Sequence, residues 1–183
     1  MENEEAIRVL CINLNIMSFW LKDNYKAERL KFVLEKHGVG IAGLQEACIN
    51  WSNFNLSQTL ASILRAKAEK LRSIASHNER ETKNIRRYQW GGAATILHNQ
   101  LSAFVIDSRS DHTGLGRWSW YLVEGEPGHR TYVITAYTTY GNVGVGVGEY
   151  TVYKQHEKSI QKKGIRAKPK TMLREDLISV LQR

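Results

Sequence analysis

The 183 residues predict an α/β domain, and three observations carry that expectation. Two apolar runs, "AIRVLCINLNI" and "VGIAGL", flank a segment whose apolar residues recur at helical spacing, the order of a parallel strand–helix–strand unit. Four short strand-like runs punctuated by turn residues follow, as in antiparallel sheets. Two helical segments close the chain. The length suits one hydrophobic core and is short for two, so the expectation is a single domain over 1–183, with helices covering a largely antiparallel sheet.

Ala6 to Ile16 is apolar on both faces, which predicts a central strand. Tyr25 to His37 places Ala27, Leu30, Val33 and Leu34 on one helix face, and Gly38 suits its end. Val39 to Leu44 is the next strand, joined by a right-handed crossover. Ser57 to about His77 carries Leu60, Ile63, Leu64, Leu71 and Ile74 at helical spacing and predicts a long amphipathic helix. The polar stretch "HNERETKNIRRYQW" predicts a mobile loop. "AATILHN", "SAFVID", "RWSWYLVEG" and "RTYVITAY" predict strands, with "EGEPGHR" as a hairpin turn. After a glycine-rich loop come a helix from Glu149 to Lys163 and, prepared by Pro169, a last one from Met172 to Gln182. That helix brings its apolar face to within two residues of the end of the sequence, which suggests truncation before a further strand.

At 42% hydrophobic and 24% charged residues, the composition is that of a folded domain. No apolar run reaches the length of a membrane span, and Met1-Glu-Asn-Glu-Glu is no secretory leader. Cys11 and Cys48 form no disulfide framework. The expected setting is therefore intracellular, nucleus or cytoplasm, with no membrane partner. The net charge of +8 is concentrated: Arg65 to Arg87 holds 8 Lys/Arg against 3 Asp/Glu, and Lys154 to Arg183 holds 9 against 3. Contact with a polyanion and solvated helix faces both account for such blocks.

Three candidate sites have ordinary structural explanations. Gly144, Gly146 and Gly148 alternate without the spacing of a dinucleotide loop, and no Gly-Lys-Ser/Thr follows. Ser110-Asp111-His112 precedes Gly114-Leu115-Gly116, a turn context in which Asp and His are common. The six histidines and two cysteines lack metal-ligand spacing. The fourth candidate is sharper. The first strand ends in Asn13-Leu14-Asn15 and the second in Gln45-Glu46, and ligands of open α/β sheets gather at the carboxyl ends of strands. Amides and a carboxylate converging there suit a hard cation such as Mg²⁺; capping of two strand ends explains them equally.

"CINLNI", a helix bearing Arg29, and then "GIAGLQEA" resemble the opening of the endonuclease/exonuclease/phosphatase superfamily, which runs strand–"WNxN"–helix–strand–"LQE". "GGAATIL", "GRWSWYLV" and "YVITAY" are similar to its middle strands, in the same order, and "GGAATIL" is closest to the retroelement endonucleases. The resemblance extends to the apurinic endonucleases and spans Arg8 to Arg183, the N-terminal part of such a domain. It implies an incomplete four-layer α/β sandwich, helices outside mostly antiparallel sheets, with the C-terminal part missing. It further implies Glu46 and Asn15 as metal residues, Mg²⁺ or Mn²⁺ as cofactor, and Asn13 and Tyr137 as residues acting on the phosphate.

The chain departs from that pattern. Ile12 stands where the family has tryptophan, and Thr138, Thr139 and Tyr140 replace the usual proline and asparagine after Tyr137. The later "GDxN" and terminal "SDH" are absent, and residues 110–112 fall too early in the order to supply the latter. The resemblance therefore implies metal-dependent phosphodiester hydrolysis on nucleic acid, DNA favoured, by an incomplete or degenerate domain without its water-activating half. A non-catalytic nucleic-acid-binding module would instead show salt-dependent binding without metal. A phosphatase or phosphodiesterase acting on a small or lipid substrate would bind nucleic acid weakly even at low salt. Missing strands would also leave apolar sheet surface uncovered around "AATIL", "WSWYLV" and "YVITAY", predicting self-association.

Overall fold

A computed structural model describes residues 6–15, 25–51, 60–64, 70–79, 90–139 and 151–182. Seven strands form two sheets. The first has the order β1-β2-β4-β3, from β1 (Arg8–Asn13), β2 (Val39–Gln45), β4 (Ala93–His98) and β3 (Leu71–Ser76). The second is the meander β5 (Val105–Ser110), β6 (Trp118–Glu124) and β7 (Arg130–Ala136). Only β1 and β2 run parallel, joined through α1 (Tyr25–Lys36); every other pairing of these strands is antiparallel. The short α2 (Leu60–Ile63), α3 (Val152–Lys162) and α4 (Pro169–Leu181) complete the described elements, with a 3₁₀ helix over Asn99–Phe104. Among the described residues no helix is long and apolar enough to cross a membrane.

Strand alternation sorts the side chains into three apolar layers. Ala42, Leu44, Ala94 and Ile96 face α1 and α2, meeting Ala27, Leu30, Leu34 and Leu60. The opposite face of that sheet sends Ile41, Ile74 and Leu97 against Tyr121, Val123 and Val133 of the second sheet. Beyond it Trp118, Trp120 and Ile134 pack under Leu173, Leu177 and Val180 of α4. Helices, sheet, sheet and helix make the four layers of an α/β sandwich.

Between the sheets the layer becomes small and polar towards the ends of β2 and β7. Thr95 Oγ1 lies 2.9 Å from Thr135 Oγ1 and 3.0 Å from the Ser119 carbonyl, all buried. A Cβ on Gly43 would stand 3.0 Å from Thr135 Oγ1, so β2 and β7 are in contact there. Gln45 Nε2 donates to the Ala136 carbonyl at 2.9 Å and fixes the two strand ends together.

Several sequence expectations are corrected. The long helix over 57–77 does not form: among its described residues only Leu60–Ile63 are helical, and Leu71–Ser76 form β3 on the antiparallel edge of β4. Leu71 and Ile74 mimic helical spacing, whereas pairing with six residues of β4 satisfies the backbone. In "SAFVID" the strand begins only at Val105, because Asn99–Phe104 coil into the 3₁₀ helix. Among the described residues β1 stands at the edge of its sheet, where the sequence predicted a central strand. The last helix starts at Pro169, ahead of Met172, since proline suits a helix's first turn.

"AATIL" lies in the first sheet and "WSWYLV" and "YVITAY" in the second. Their faces meet each other, α1 and α2, or α4, and exposed apolar side chains include Ile7 and Val9 (57% and 60% exposed). The polar loop from Arg80 to Gln89, residues 140–150 with their glycine run, and the Ile16 end of the first strand lie outside the described residues.

Candidate metal and phosphate site

Period-two alternation along β2 would send residue 46 towards α1, with Ala42 and Leu44. The backbone prevents this: Glu46 has φ +53° and Cys48 φ +54°, so the strand ends in a left-handed turn. Non-glycine residues there carry roughly 1–2 kcal/mol of strain. The turn is held by the Cys48 N–H donating to the Gly91 carbonyl at 2.8 Å, just ahead of β4. Glu46 is thereby half-buried, and its Oε1 accepts the Tyr137 hydroxyl at 2.6 Å. Tyr137 follows β7, so the bond joins the two sheets across 91 residues of sequence. The carboxylate in the apolar run is there because a hydroxyl of the facing sheet meets it. Burial pushes the Tyr137 phenol well above its usual range, and the bond to Glu46 with its negative charge, then Cys48, push the same way. Tyr137 keeps its proton.

Asn13 ends β1 in register with Gln45, one residue from Glu46, and both Asn13 and Asn15 are exposed. Asn13 Oδ1 accepts the Asn15 N–H at 2.9 Å, and the Asn13 side chain keeps its NH₂ group as a donor. Asn15 has φ +40°, a conformation asparagine tolerates better than most residues. From the first turn of α1, Lys26 Nζ donates to the carbonyls of Leu14 at 2.8 Å and Asn15 at 2.9 Å and ties the strand end to the helix. All four sequence-derived residues therefore lie at one end of the sandwich, and the structure bonds Glu46 to Tyr137 and Asn13 to Asn15.

Sequence reasoning missed the support beneath Tyr137. Its N–H donates to the Arg117 carbonyl at 2.7 Å, and the Arg117 side chain is fully buried. Arg117 Nε donates to Asp111 Oδ2 at 2.9 Å, and Nη2 bonds Asp176 of α4. Burial works against both charges. The guanidinium and Thr113 nevertheless hold Asp111 below the usual carboxylate range, and Asp111 with Asp176 holds Arg117 above its ordinary value. The Ser110-Asp111-His112 turn thus acts as an anchor for Arg117. The available signal was an arginine directly before the apolar run "WSWYLV".

The donors fit a hard cation. Mg²⁺ uses one or two carboxylates and takes its remaining oxygens from water and phosphate, so Glu46, with the asparagines at the neighbouring strand end, could supply the protein share. Among the described residues no group of three or more His, Cys, Asp and Glu is placed to hold a metal.

No family model matches the sequence, and no curated protein matches it. Solved structures do. An AP endonuclease from Leishmania major superposes with a TM-score of 0.52 at 15% identity, covering 85% of this chain and 47% of that one. The likeness establishes the fold as an α/β sandwich of the AP endonuclease kind. The chain spans about half the length of that neighbour.

Proposed function

We propose that the domain recognises nucleic acid, DNA foremost, and takes part in Mg²⁺- or Mn²⁺-dependent phosphodiester hydrolysis at the end of the sandwich where Glu46 and Tyr137 meet. The observation that carries this reading is the Tyr137–Glu46 bond between the sheets, with Asn13 in register beside it. Glu46 and Asn15 would hold the cation, which supplies charge neutralisation on the phosphoryl oxygens when bound. The exposed amide of Asn13 donates to a phosphoryl oxygen. Tyr137 acts as a hydrogen-bond donor and not as a base, since burial and Glu46 keep its proton in place.

Asp111 is committed to Arg117 and does not serve as a general base. General-base help is worth ~10²–10⁴-fold, so turnover by these residues alone is expected to be slow. Titrating Mg²⁺ into isotope-labelled protein should shift the resonances of Glu46, Asn13, Asn15 and Tyr137, and Glu46→Ala should remove the response together with any Mn²⁺-dependent nicking of plasmid DNA. Shifts confined to another surface, or none up to millimolar metal, would overturn the assignment. Salt-dependent DNA binding without a metal response would point to a binding module instead.

A further inference from the structure

We infer that the cleft between β1 and α1 is a subsite for the nucleotide flanking the phosphate, and that it takes that nucleotide from a single strand. The inference rests on the proposed function only for the phosphate placed at Asn13. The cleft has a volume of about 350 Å³ and runs from Asn13 over a floor of Leu10 and Ile12 to Tyr25, Lys26 and Arg29. Asn13 belongs both to this cleft and to the candidate site, so a chain whose phosphate meets its amide continues into the cleft.

Charge selects the occupant. Lys26 is held at the cleft by the Leu14 and Asn15 carbonyls, although a lysine in a helix's first turn is disfavoured by the helix dipole. Those bonds offset the local cost and hold its ammonium at the backbone that follows Asn13. Arg29, one turn further and exposed, adds a second cation. Among the described residues that line the cleft there is no carboxylate, and Glu28, in the same turn, is not one of them. Tyr25 is 61% exposed and supplies an aromatic face at the rim. Two cations, an aromatic face and an apolar floor match one backbone phosphate and one unstacked base. A base inside a duplex keeps its stacking partners and cannot reach Tyr25 without being extruded.

Fluorescence anisotropy with a labelled oligothymidylate, in EDTA, tests this without the metal. Tyr25→Ala is expected to weaken binding about tenfold while Tyr25→Trp keeps it. Arg29→Ala should reduce the slope of log affinity against log salt by about 0.7, the share of one phosphate contact on a single strand. Lys170→Ala, an equal charge change on α4, should leave the affinity within about twofold. A duplex of the same length should bind more weakly than the single strand. Tyr25 and Arg29 are exposed, so thermal melts of the variants should match the parent. Wild-type affinity in both Tyr25→Ala and Arg29→Ala would overturn the subsite while leaving the metal reading intact. Failure of the parent protein to bind the oligonucleotide at low salt would overturn both. Retention of this pattern in Glu46→Ala would show that the subsite stands independently of the metal site.

Discussion

Removing the Asp111 carboxylate should unseat the residue that carries Tyr137. In Asp111→Ala the buried Arg117 loses two side-chain hydrogen bonds of its pair, and its backbone N–H loses an acceptor at 2.9 Å. Asp176 remains, half-buried on α4. Breaking a buried pair by deleting one partner typically costs about 3–5 kcal/mol. For a domain of this size each kcal/mol lowers Tm by about 2–4 °C, so the expected fall is roughly 6–20 °C. Arg117→Met combined with Asp111→Ala should cost less than Asp111→Ala alone, because no uncompensated charge is then buried. Asp111 has a lowered pKa in the fold, so its contribution is complete above its unfolded value near 3.8 and disappears as pH falls through the lower folded value. The gap between parent and variant should therefore be full at pH 7 and begin to narrow as pH falls below about 4. Chemical denaturation at several pH values measures this. A loss below about 1 kcal/mol at pH 7 would place the pair with ordinary surface ion pairs and refute the reasoning.

Tyr137→Phe removes a half-buried hydrogen bond to a carboxylate and is expected to cost about 1–2 kcal/mol, read from denaturant midpoints. Glu46→Ala should lower the Tyr137 pKa towards 10, since the bond to Glu46 and its charge both raise it; tyrosine-labelled NMR through an alkaline titration shows the shift, and an unmoved resonance would contradict the geometry. In the parent, stability from the neutral phenol is present below the unfolded value of 10.0 and is lost as pH rises through the higher folded one. Gly43→Val should separate β2 from Thr135 and destabilise by about 1–3 kcal/mol, with the Thr95 and Thr135 hydroxyl resonances displaced first. Val9→Lys, on the exposed edge strand, should melt like the parent and scatter less light as concentration rises; equal scattering would place any self-association on another surface.

Local periodicity made most of the fold legible. β2, β4, β6 and β7 are runs of apolar residues between turn signals, and α1 shows the 3.6-residue repeat. β3 was hidden because "LRSIAS" is short and mixed in polarity, and its leucine and isoleucine extend the helical spacing begun at Leu60. Its pairing with β4 is a tertiary fact that local pattern does not contain. The same holds for the edge position of β1: apolar residues on both faces speak for two covers, and the described residues supply one, through Leu10. At the site, Glu46 and the two asparagines stood out because they break or end apolar runs. Tyr137 entered through resemblance alone, and its bond to Glu46 spans a separation no local rule bridges. Arg117 with Asp111 and Asp176 was invisible for the same reason, since its partners lie six and 59 residues away.

Asn15, Glu46 and Cys48 share one end of the sandwich and a left-handed backbone that glycine adopts without cost. To a protein engineer, glycine at these positions would relieve backbone strain, and at Asn15 and Glu46 it would also remove side chains that meet a cation in our reading. A screen that rewards thermal tolerance alone would therefore drift towards this end of the domain first. It would return hardier proteins with the chemistry erased, whereas gains made on the far side, around Asn99–Phe104, would leave that end untouched.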